Sequence, residues 1–418
     1  MGGASTRFPP VFSHSAALRR ELQRALPERP FALRFWDGTE VPATTGSGPT
    51  FDLRSPRALA HLIRRPGELG LGRAYISGDL DVAVEDLDAA VALVVDWEPP
   101  KIAPADAARL ALAAVRAAGL VAPPPVPAIE LRQRGRLHSL VRDRRAVRHH
   151  YDAGNEFFAL FLDPSMTYSC AVFSRGAKTL EEAQETKLEM VCQKLRLQPD
   201  ERVLDVGCGW GSFAIHAASR HDVRVLGITL SDRQAELARE RVREAGLAER
   251  VEIRVADYRD LDGPPFDAIS SIGMVEHVGA THLDTYAKSL AAVLRPGGRL
   301  LNHGISQVRY DPADPFDDAG PISQRYVFPD GDVAPLSYVQ RALEHAGLVT
   351  EHVEGLGGDY VTTLSHWIER FEARYDEAVA IAGSERARVW RVYLRAGRLG
   401  FATGSESVYQ VLCRKPGA

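Results

Sequence analysis

The 418-residue sequence is poor in cysteine (four), in methionine (four) and in lysine, which supplies only six of its 51 basic residues. Cys170, Cys192, Cys208 and Cys413 are scattered and form no Cys-x-x-Cys pair. That excludes a zinc-finger spacing and a disulfide framework, and it suits a reducing compartment. Long apolar runs are also missing. The best window, residues 107–122, is interrupted by Arg109 and Arg116, so no transmembrane helix is expected. The first 30 residues mix Arg19, Arg20, Arg24 and Arg29 with Glu21, Glu28 and prolines, and hold no signal-peptide core. A cytoplasmic protein is therefore expected. Charge of one sign is not in excess: 51 basic residues face 55 acidic ones, for a net charge of −4. This excludes a wholesale polycation such as a chromatin protein. No base-binding module or broad basic face is present, so no nucleic acid partner is expected. No metal site is expected either. His149 and His150 are adjacent and diverge by about 100° on a helix, and Glu276-His277 lacks a second histidine at i+4.

What remains is a globular composition, 45% hydrophobic and 25% charged, long enough for two or three domains. Residues 1–30 read as an arm with one short helix. Phe31–Trp36 and Thr39–Val41 flank the turn Asp37-Gly38 as a pair of strands. Arg57–Arg65, Leu69–Ile76, Val84–Val95 and Ala105–Ala118 carry helical periodicity. Pro123, Pro124, Pro125 and Pro127 then halt the pattern and mark a boundary. Beyond it, β-type runs at 203–206, 223–228, 251–255, 268–271 and 299–303 alternate with helical segments at 212–220, 232–245 and 283–294. The alternation predicts a parallel sheet covered by helices, an α/β fold. Residues 306–335 read as a long loop of the lid or binding type, and helices resume at 337–346 and 363–382. The expected division is an N-terminal α+β domain (1–122), a proline-rich then arginine-rich linker (123–148) and a larger domain (149–418).

The sharpest local signal is Val203-Leu-Asp205-Val-Gly207-Cys-Gly209-Trp-Gly211, a buried strand running into a glycine turn. Glycines let the backbone turn tightly and approach a ligand at the carboxyl end of the strand. The spacing is G-x-G-x-G rather than the G-x-G-x-x-G of a pyrophosphate site. The second strand ends at Thr229, with no acid to hold an NAD ribose, so NAD is disfavoured. The pattern resembles the first motif of S-adenosylmethionine-dependent methyltransferases. Asp257-Tyr258 and Leu294-Arg-Pro-Gly-Gly298 follow in the order of their later motifs. Further stretches narrow the resemblance: His150-Tyr-Asp-Ala-Gly-Asn-Glu-Phe-Phe158, Met166-Thr-Tyr-Ser-Cys170, Met274-Val-Glu-His-Val-Gly279 and Tyr326-Val-Phe-Pro-Asp-Gly331. Together with Gly70-Leu-Gly-Arg-Ala-Tyr-Ile-Ser-Gly-Asp79, they are similar to the longer, two-domain cyclopropane fatty acid synthases.

That resemblance implies a Rossmann-like class I methyltransferase domain. The substrates it implies are S-adenosylmethionine and an unsaturated phospholipid acyl chain. It places the methyl donor on Tyr168, Ser169, Asp205, Gly207, Gly209, Gly211, Thr229, Leu230, Gln234, Asp257 and Tyr258. It implies bicarbonate as the base, caged by Cys170, Glu276, His303, Ile305 and Tyr360. Such a base must be dry, oriented and within hydrogen-bond reach. Aromatic faces at Tyr168, Tyr310, Tyr360 and Trp367 suit a sulfonium or carbocation, although Trp367 on an apolar helical face also reads as core. Relatives imply a homodimer. One departure stands out: Gly397 occupies a position where many relatives carry cysteine. The product is open between a cyclopropane and a 10-methylene chain. A small-molecule methyltransferase and a non-catalytic lipid-binding protein are the rival classes.

The even net charge hides a local excess. Residues 132–150 hold seven arginines (Arg132, Arg134, Arg136, Arg142, Arg144, Arg145, Arg148) against Asp143 alone, a charge of +6 that leaves −10 for the rest. A charge run is usually a solvated face. With a lipid substrate, the expectation is reversible docking on an anionic membrane surface, the protein lying peripherally on the inner leaflet.

Overall fold

In the computed structural model, residues 15–98, 100–119, 124–132, 139, 142, 145, 146, 151, 153–308, 317, 318 and 320–417 are described. The N-terminal arm before Ser15, Pro123, His149, His150, Tyr310 and four of the seven arginines (Arg134, Arg136, Arg144 and Arg148) lie outside the described residues, as does Asp143. The chain divides into two compact units, residues 1–128 and 129–418.

In the first unit, β1 (Ala32–Arg34) and β2 (Glu40–Val41) form the expected hairpin. The Asp37 carboxylate fixes the turn by accepting from the Thr39 N–H at 3.0 Å. Two further strands, β3 (Thr50–Leu53) and β4 (Leu80–Val82), complete a sheet of order β2-β1-β3-β4. They are four and three residues long, too short for an alternation to register in sequence. Helices cover Ser15–Ala25, Arg57–Arg64, Glu68–Ile76, Leu87–Asp96 and Pro104–Ala118. The expected helix at Val84 begins instead as a 3₁₀ turn, Val84–Asp86. Sheet and helices enclose an apolar cavity of about 330 Å³, lined by Leu18, Phe31, Phe51, Leu62, Trp97 and Leu110 among others.

The second unit holds β5 (Arg202–Val206), β6 (Arg224–Thr229), β7 (Val251–Val255), β8 (Phe266–Ile272), β9 (Leu294–Gln307), the short pair β10 (Asp317–Asp318) and β11 (Asp332–Val333), β12 (Val349–Gly355) and β13 (Glu406–Arg414). Among the described residues its main sheet runs β12-β13-β9-β8-β5-β6-β7. Strands β5 to β9 are parallel, and β13 pairs antiparallel with both β9 and β12. Val203, Leu204 and Val206 are each at most 1% exposed, as a parallel strand covered on both faces requires. The chain leaves β5 for β6 and β7 on one side and returns to β8 on the other. That reversal opens a crevice at the carboxyl ends of the strands, where α/β folds bind ligands.

Three elements depart from expectation. A helix at Leu180–Leu195, absent from the expectation, buries an apolar stripe interrupted by Gln184 and Lys187. It begins with a capping box, in which Thr179 accepts from the Glu182 N–H and Glu182 reaches back to Thr179. The helix expected over 363–382 is two helices, Gly357–Ala373 and Tyr375–Ala382. The long loop carries a helix, Gly320–Tyr326, and the β10–β11 pair. The expected linker also behaves differently where it is described. The Glu130 carboxylate is fully buried and accepts from the Arg325 guanidinium (3.1 Å) and the Tyr326 hydroxyl (2.7 Å). Arg142 grips Asp330 through two 2.6 Å hydrogen bonds. These residues belong to the second unit, and the Arg142 charge is neutralised rather than displayed.

Candidate active site

The glycine turn after β5 carries φ of +74°, +53° and +82° at Gly207, Gly209 and Gly211, a region that side chains strongly disfavour. The turn is locked by the Gly207 and Cys208 N–H groups, which both donate to the Ile228 carbonyl (3.0 and 2.9 Å). Two adjoining cavities open over it. One is lined by Gly207, Gly209, Thr229, Leu230, Gln234, Asp257 and Tyr258, joined by Tyr151, Met274 and His277. The other is lined by Tyr168, Ser169, Lys187, Asp205, Trp210 and Ser212, and shares Tyr151, Gly207, Gly209 and Gln234 with the first. Ten of the eleven residues expected to hold the methyl donor therefore line one crevice. Gly211 stands behind it, where an added Cβ would press Ala238 at 3.3 Å.

Each end of the crevice has its own chemistry. At the first, Thr229 donates to Gln234 Oε1 (2.8 Å). This engages the amide oxygen and leaves the Gln234 N–H₂ as a hydrogen-bond donor at the crevice. Tyr258 is buried and edge-packed on Tyr286, placing an aromatic wall where an adenine stacks. Asp257 lines the cavity, but its carboxylate is engaged by Arg259 at 2.7–2.9 Å, through the backbone N–H and the guanidinium. At the other end, Asp205 is buried and its Oδ2 has no hydrogen-bond partner among the described residues. Burial pushes its carboxyl up to about 7, with Lys187 pulling the other way. Lys187 is itself fully buried and donates to Ser169 Oγ (2.8 Å). Desolvation lowers its ammonium to about 8. A partnerless carboxylate oxygen suits the ammonium of an amino acid. Lys187 had no sequence signal beyond being a lysine among half-apolar neighbours.

The five cage residues come from four separate stretches. Cys170 sits on the segment before the Leu180–Leu195 helix, held from both sides. Gln184 donates to the Thr167 and Ser169 carbonyls (3.2 and 2.9 Å). Thr363 accepts from the Ala171 N–H (3.0 Å), and Asp359 accepts from the Phe173 and Ser174 N–H groups, both at 2.7 Å. The Cys170 thiol is fully buried and donates to the Leu356 carbonyl at 3.7 Å. Burial pushes it far above the ordinary thiol range, so it stays protonated and is no nucleophile. Glu276 follows β8. Its Oε1 accepts from the Ile305 N–H (2.7 Å), while its Oε2 is buried without a partner among the described residues. Burial raises this carboxyl to about 7. The Ile305 N–H is thus given to Glu276 and fixes it. Tyr360, on the Gly357–Ala373 helix, packs against Phe401 with ring centroids 4.5 Å apart at a 38° tilt, and burial, with Tyr393, Cys170 and Glu276 nearby, holds its hydroxyl well above the usual range.

His303 is 2% exposed, and its protonation is dictated by a relay that the sequence did not reveal. The Glu354 carboxylate pairs with the Lys194 ammonium, which donates to Gln410 Oε1 (2.7 Å). An ammonium can only donate, so the Gln410 N–H₂ must face His303 Nδ1, 3.1 Å away. Nδ1 therefore accepts, and the proton sits on Nε2. Burial, with Lys187 and Lys194 nearby, drives the imidazole well below its usual range and keeps it neutral. Around the set lie Tyr168, stacked on Trp367 at 5.3 Å, with Trp390 and Phe158. Trp367 is 1% exposed and belongs to the core, yet presents its face to Tyr168. Trp210 of the glycine turn donates to Asn155 Oδ1 (2.8 Å), which ties the Tyr151–Phe158 stretch to the crevice.

Close approach of β9 to Glu276 depends on Gly304. A Cβ there would lie 2.3 Å from Val275 Cγ1. Gly304→Ala is expected to pull Ile305 off Glu276 and lower kcat by about 10-fold or more, one hydrogen bond to a charged group being worth about 1.5–3 kcal/mol. Val275→Ala should restore it, as steady-state kinetics of the double variant would show. Unchanged kinetics in Gly304→Ala would remove Gly304 from the argument.

The mycolic acid cyclopropane synthetase family matches residues 138–411. A Mycobacterium tuberculosis protein named as a probable fatty acid methyltransferase is 39% identical over 412 residues, covering 94% of this chain and 93% of its own length. The cyclopropane-fatty-acyl-phospholipid synthase of Escherichia coli K12 is 41% identical over 281 residues, 66% of this chain and 70% of its own. The crystal structure of mycolic acid cyclopropane synthase CmaA1, in complex with SAH and CTAB, superposes with a TM-score of 0.61 at 32% identity. It covers 65% of this chain and 98% of that one. The glycine turn, the crevice at the sheet's reversal point and these matches agree: the chain belongs to the mycolic acid cyclopropane synthetase family, and is an S-adenosylmethionine-dependent methyltransferase of the cyclopropane synthase type.

Proposed function

We propose that the chain transfers a methyl group from S-adenosylmethionine to the double bond of an unsaturated phospholipid acyl chain and closes the product to a cyclopropane. The observation that carries this reading is Glu276, a buried carboxylate fixed by the Ile305 N–H through one oxygen while Oε2 is left without a partner among the described residues. A small-molecule methyltransferase has no need of that buried acceptor. An alkene is a weak nucleophile, so catalysis rests on holding it in line and excluding water. Tyr168, Trp367, Trp390 and Phe158 supply a dry aromatic wall for this. The donor set fits bicarbonate: a His303 Nε2–H and the Tyr360 hydroxyl to give hydrogen bonds, and Glu276 Oε2 to accept one, the Cys170 thiol proton being given to backbone carbonyls. When bound there, bicarbonate supplies the base that takes the proton from the carbocation. Glu276, His303 and Tyr360 orient that base, and Ile305 acts by fixing Glu276.

A second product is supported by the relative that matches 94% of the chain, which is named a fatty acid methyltransferase rather than a cyclopropane synthase. A hydride shift before proton loss would leave a 10-methylene chain from the same cage. The two products are isomers, so proton NMR of the lipid decides. Cyclopropyl signals are expected, exomethylene signals would assign the second product, and turnover on soluble acceptors with none on vesicles would overturn both.

Access to the lipid is proposed to be peripheral, from the cytoplasmic face, by a homodimer. Among the described residues no helix is long and apolar enough to cross a membrane. Arg145 is exposed toward an anionic surface, as is Arg132, which also lies 3.7 Å from Glu130, while Arg142 is committed to Asp330. The apolar cavity of the first unit suits a lipid-associated role for that unit. Gly397 bears on the choice of chain. A Cβ there would meet only Leu364 Cδ1 at 3.8 Å, an ordinary contact. Gly397→Cys is therefore expected to fold and to shift preference toward shorter acyl chains in competition assays. Unchanged preference across chain lengths would count against a role for Gly397 in the acyl path.

A further inference from the structure

The Leu180–Leu195 helix and the Ser212–His221 helix, which begins at the glycine turn, lie side by side and bring together side chains far apart in sequence. The Cys192 thiol and ring nitrogens of His216 and His221 all lie within 4.8 Å of one another. Glu189, one helical turn before Cys192, joins them: its Oε2 is 3.1 Å from Nε2 of His216 and 3.1 Å from Nε2 of His221. Its other oxygen accepts from Gln193 at 2.9 Å. In a tetrahedral zinc site, with bonds near 2.0–2.1 Å to nitrogen and oxygen, neighbouring ligand atoms stand about 3.3 Å apart. Glu189 Oε2 already holds nearly that spacing to each histidine nitrogen. Cys192, within 4.8 Å of the histidine nitrogens, must close by about 1 Å on them, and by more on Glu189, to the edge of about 3.6 Å that a sulfur ligand takes.

From this geometry we propose a zinc site formed by Glu189, Cys192, His216 and His221. One thiolate, two imidazoles and one carboxylate form a borderline-soft donor set, which selects zinc over magnesium or calcium. The thiol proton of Cys192 is released to solvent when the ion binds. Four protein ligands leave no open position, which marks the site as structural rather than catalytic. Cys192 is fully buried, whereas the Glu189 and His221 side chains are 35% and 21% exposed, so an ion can enter from solvent. The ion would fasten the helix that carries Lys187 to the helix that starts at the glycine turn. The donor crevice would then be braced from outside by a site that touches neither donor nor lipid.

The test uses full-length protein treated with a chelator and titrated with cobalt(II), a spectroscopic substitute for zinc. Wild type is expected to bind one equivalent, with tetrahedral d–d bands and a thiolate-to-cobalt charge-transfer band. Cys192→Ser should lose the charge-transfer band. His221→Gln and Glu189→Gln, at partly exposed positions, should keep the wild-type circular dichroism and weaken cobalt binding about 10-fold or more. Zinc should displace the cobalt signal and raise the thermal midpoint of wild type but not of His221→Gln. No stoichiometric binding, a charge-transfer band that survives in Cys192→Ser, or unaltered affinity in both His221→Gln and Glu189→Gln would each overturn the site.

Discussion

Glu276→Gln is expected to lower turnover by about 10²- to 10⁴-fold, the range for loss of a positioned acid–base group, with S-adenosylmethionine binding little changed. The amide keeps the size of the carboxyl and can still accept from the Ile305 N–H. It places an N–H₂ where Glu276 Oε2 now offers a buried acceptor. The charged form is the one that orients the base, and burial raises its carboxyl to about 7. At saturating donor, activity should therefore fall as pH drops through about 7, and the residual activity of Glu276→Gln should show no such limb. Single-turnover assays on unsaturated vesicles, with donor affinity measured separately, test both statements. A variant that retains wild-type kcat would remove Glu276 from the chemistry and with it the proposed cage.

Lys187→Met has the second largest expected effect, and it falls on binding rather than turnover. The ammonium holds Ser169 Oγ and opposes the desolvation of Asp205. Without it, the Asp205 carboxyl rises further above about 7 and stays protonated at neutral pH, where it no longer accepts from a donor ammonium. One pKa unit corresponds to about 1.4 kcal/mol, or tenfold. The affinity for S-adenosylmethionine at pH 7 should fall about 10-fold or more, and recover as pH rises. Calorimetric titration across pH 6 to 9 checks this, and an unchanged affinity profile would refute it. Linkage gives a companion result. Asp205 titrates higher in the folded chain than in the unfolded one. Its contribution to stability is therefore present below about pH 4 and lost as pH rises through about 7. Asp205→Asn should flatten that part of the pH dependence of thermal unfolding while losing donor affinity.

These two acids show how far a sequence reading reaches. The Asp205-to-Gly211 turn is legible because its three positive φ angles admit glycine and little else, so backbone geometry is written directly into residue type. The central parallel strands β5 and β6 are legible because burial on both faces demands apolar runs, and the edge strand β7 through its alternation of Val251 and Ile253 with Glu252 and Arg254. Strands β12 and β13 are not. Val349–Gly355 is charged and largely exposed, and only pairing with Glu406–Arg414 makes it a strand. The pairing of β13 with β9 on its other side sets Gln410 opposite His303, which decides the histidine's tautomer. Lys187 and Glu189 sit on a helix whose mixed composition hides both a buried ammonium and a cluster with His216 and His221. Asp257 looks free in sequence and is held by Arg259 in the fold.

By itself, then, the sequence determined the class of fold and the glycine turn, and it supplied the candidate residues for the crevice and the proposed cage, because short-range backbone demands and ordered motifs fix residue types locally. Tertiary structure alone decided what those residues are able to do. It brought Tyr360 near Cys170 and Glu276 across about 190 positions of chain and fixed Glu276 on the Ile305 N–H. Desolvation lifts the Asp205 and Glu276 carboxyls toward neutrality, keeps the Cys170 thiol protonated and holds the His303 imidazole neutral. It also turned Arg142 from a displayed cation into a neutralised one. Dielectric surroundings, strand register and helix contacts are properties of the packed chain, and no run of residues encodes them alone.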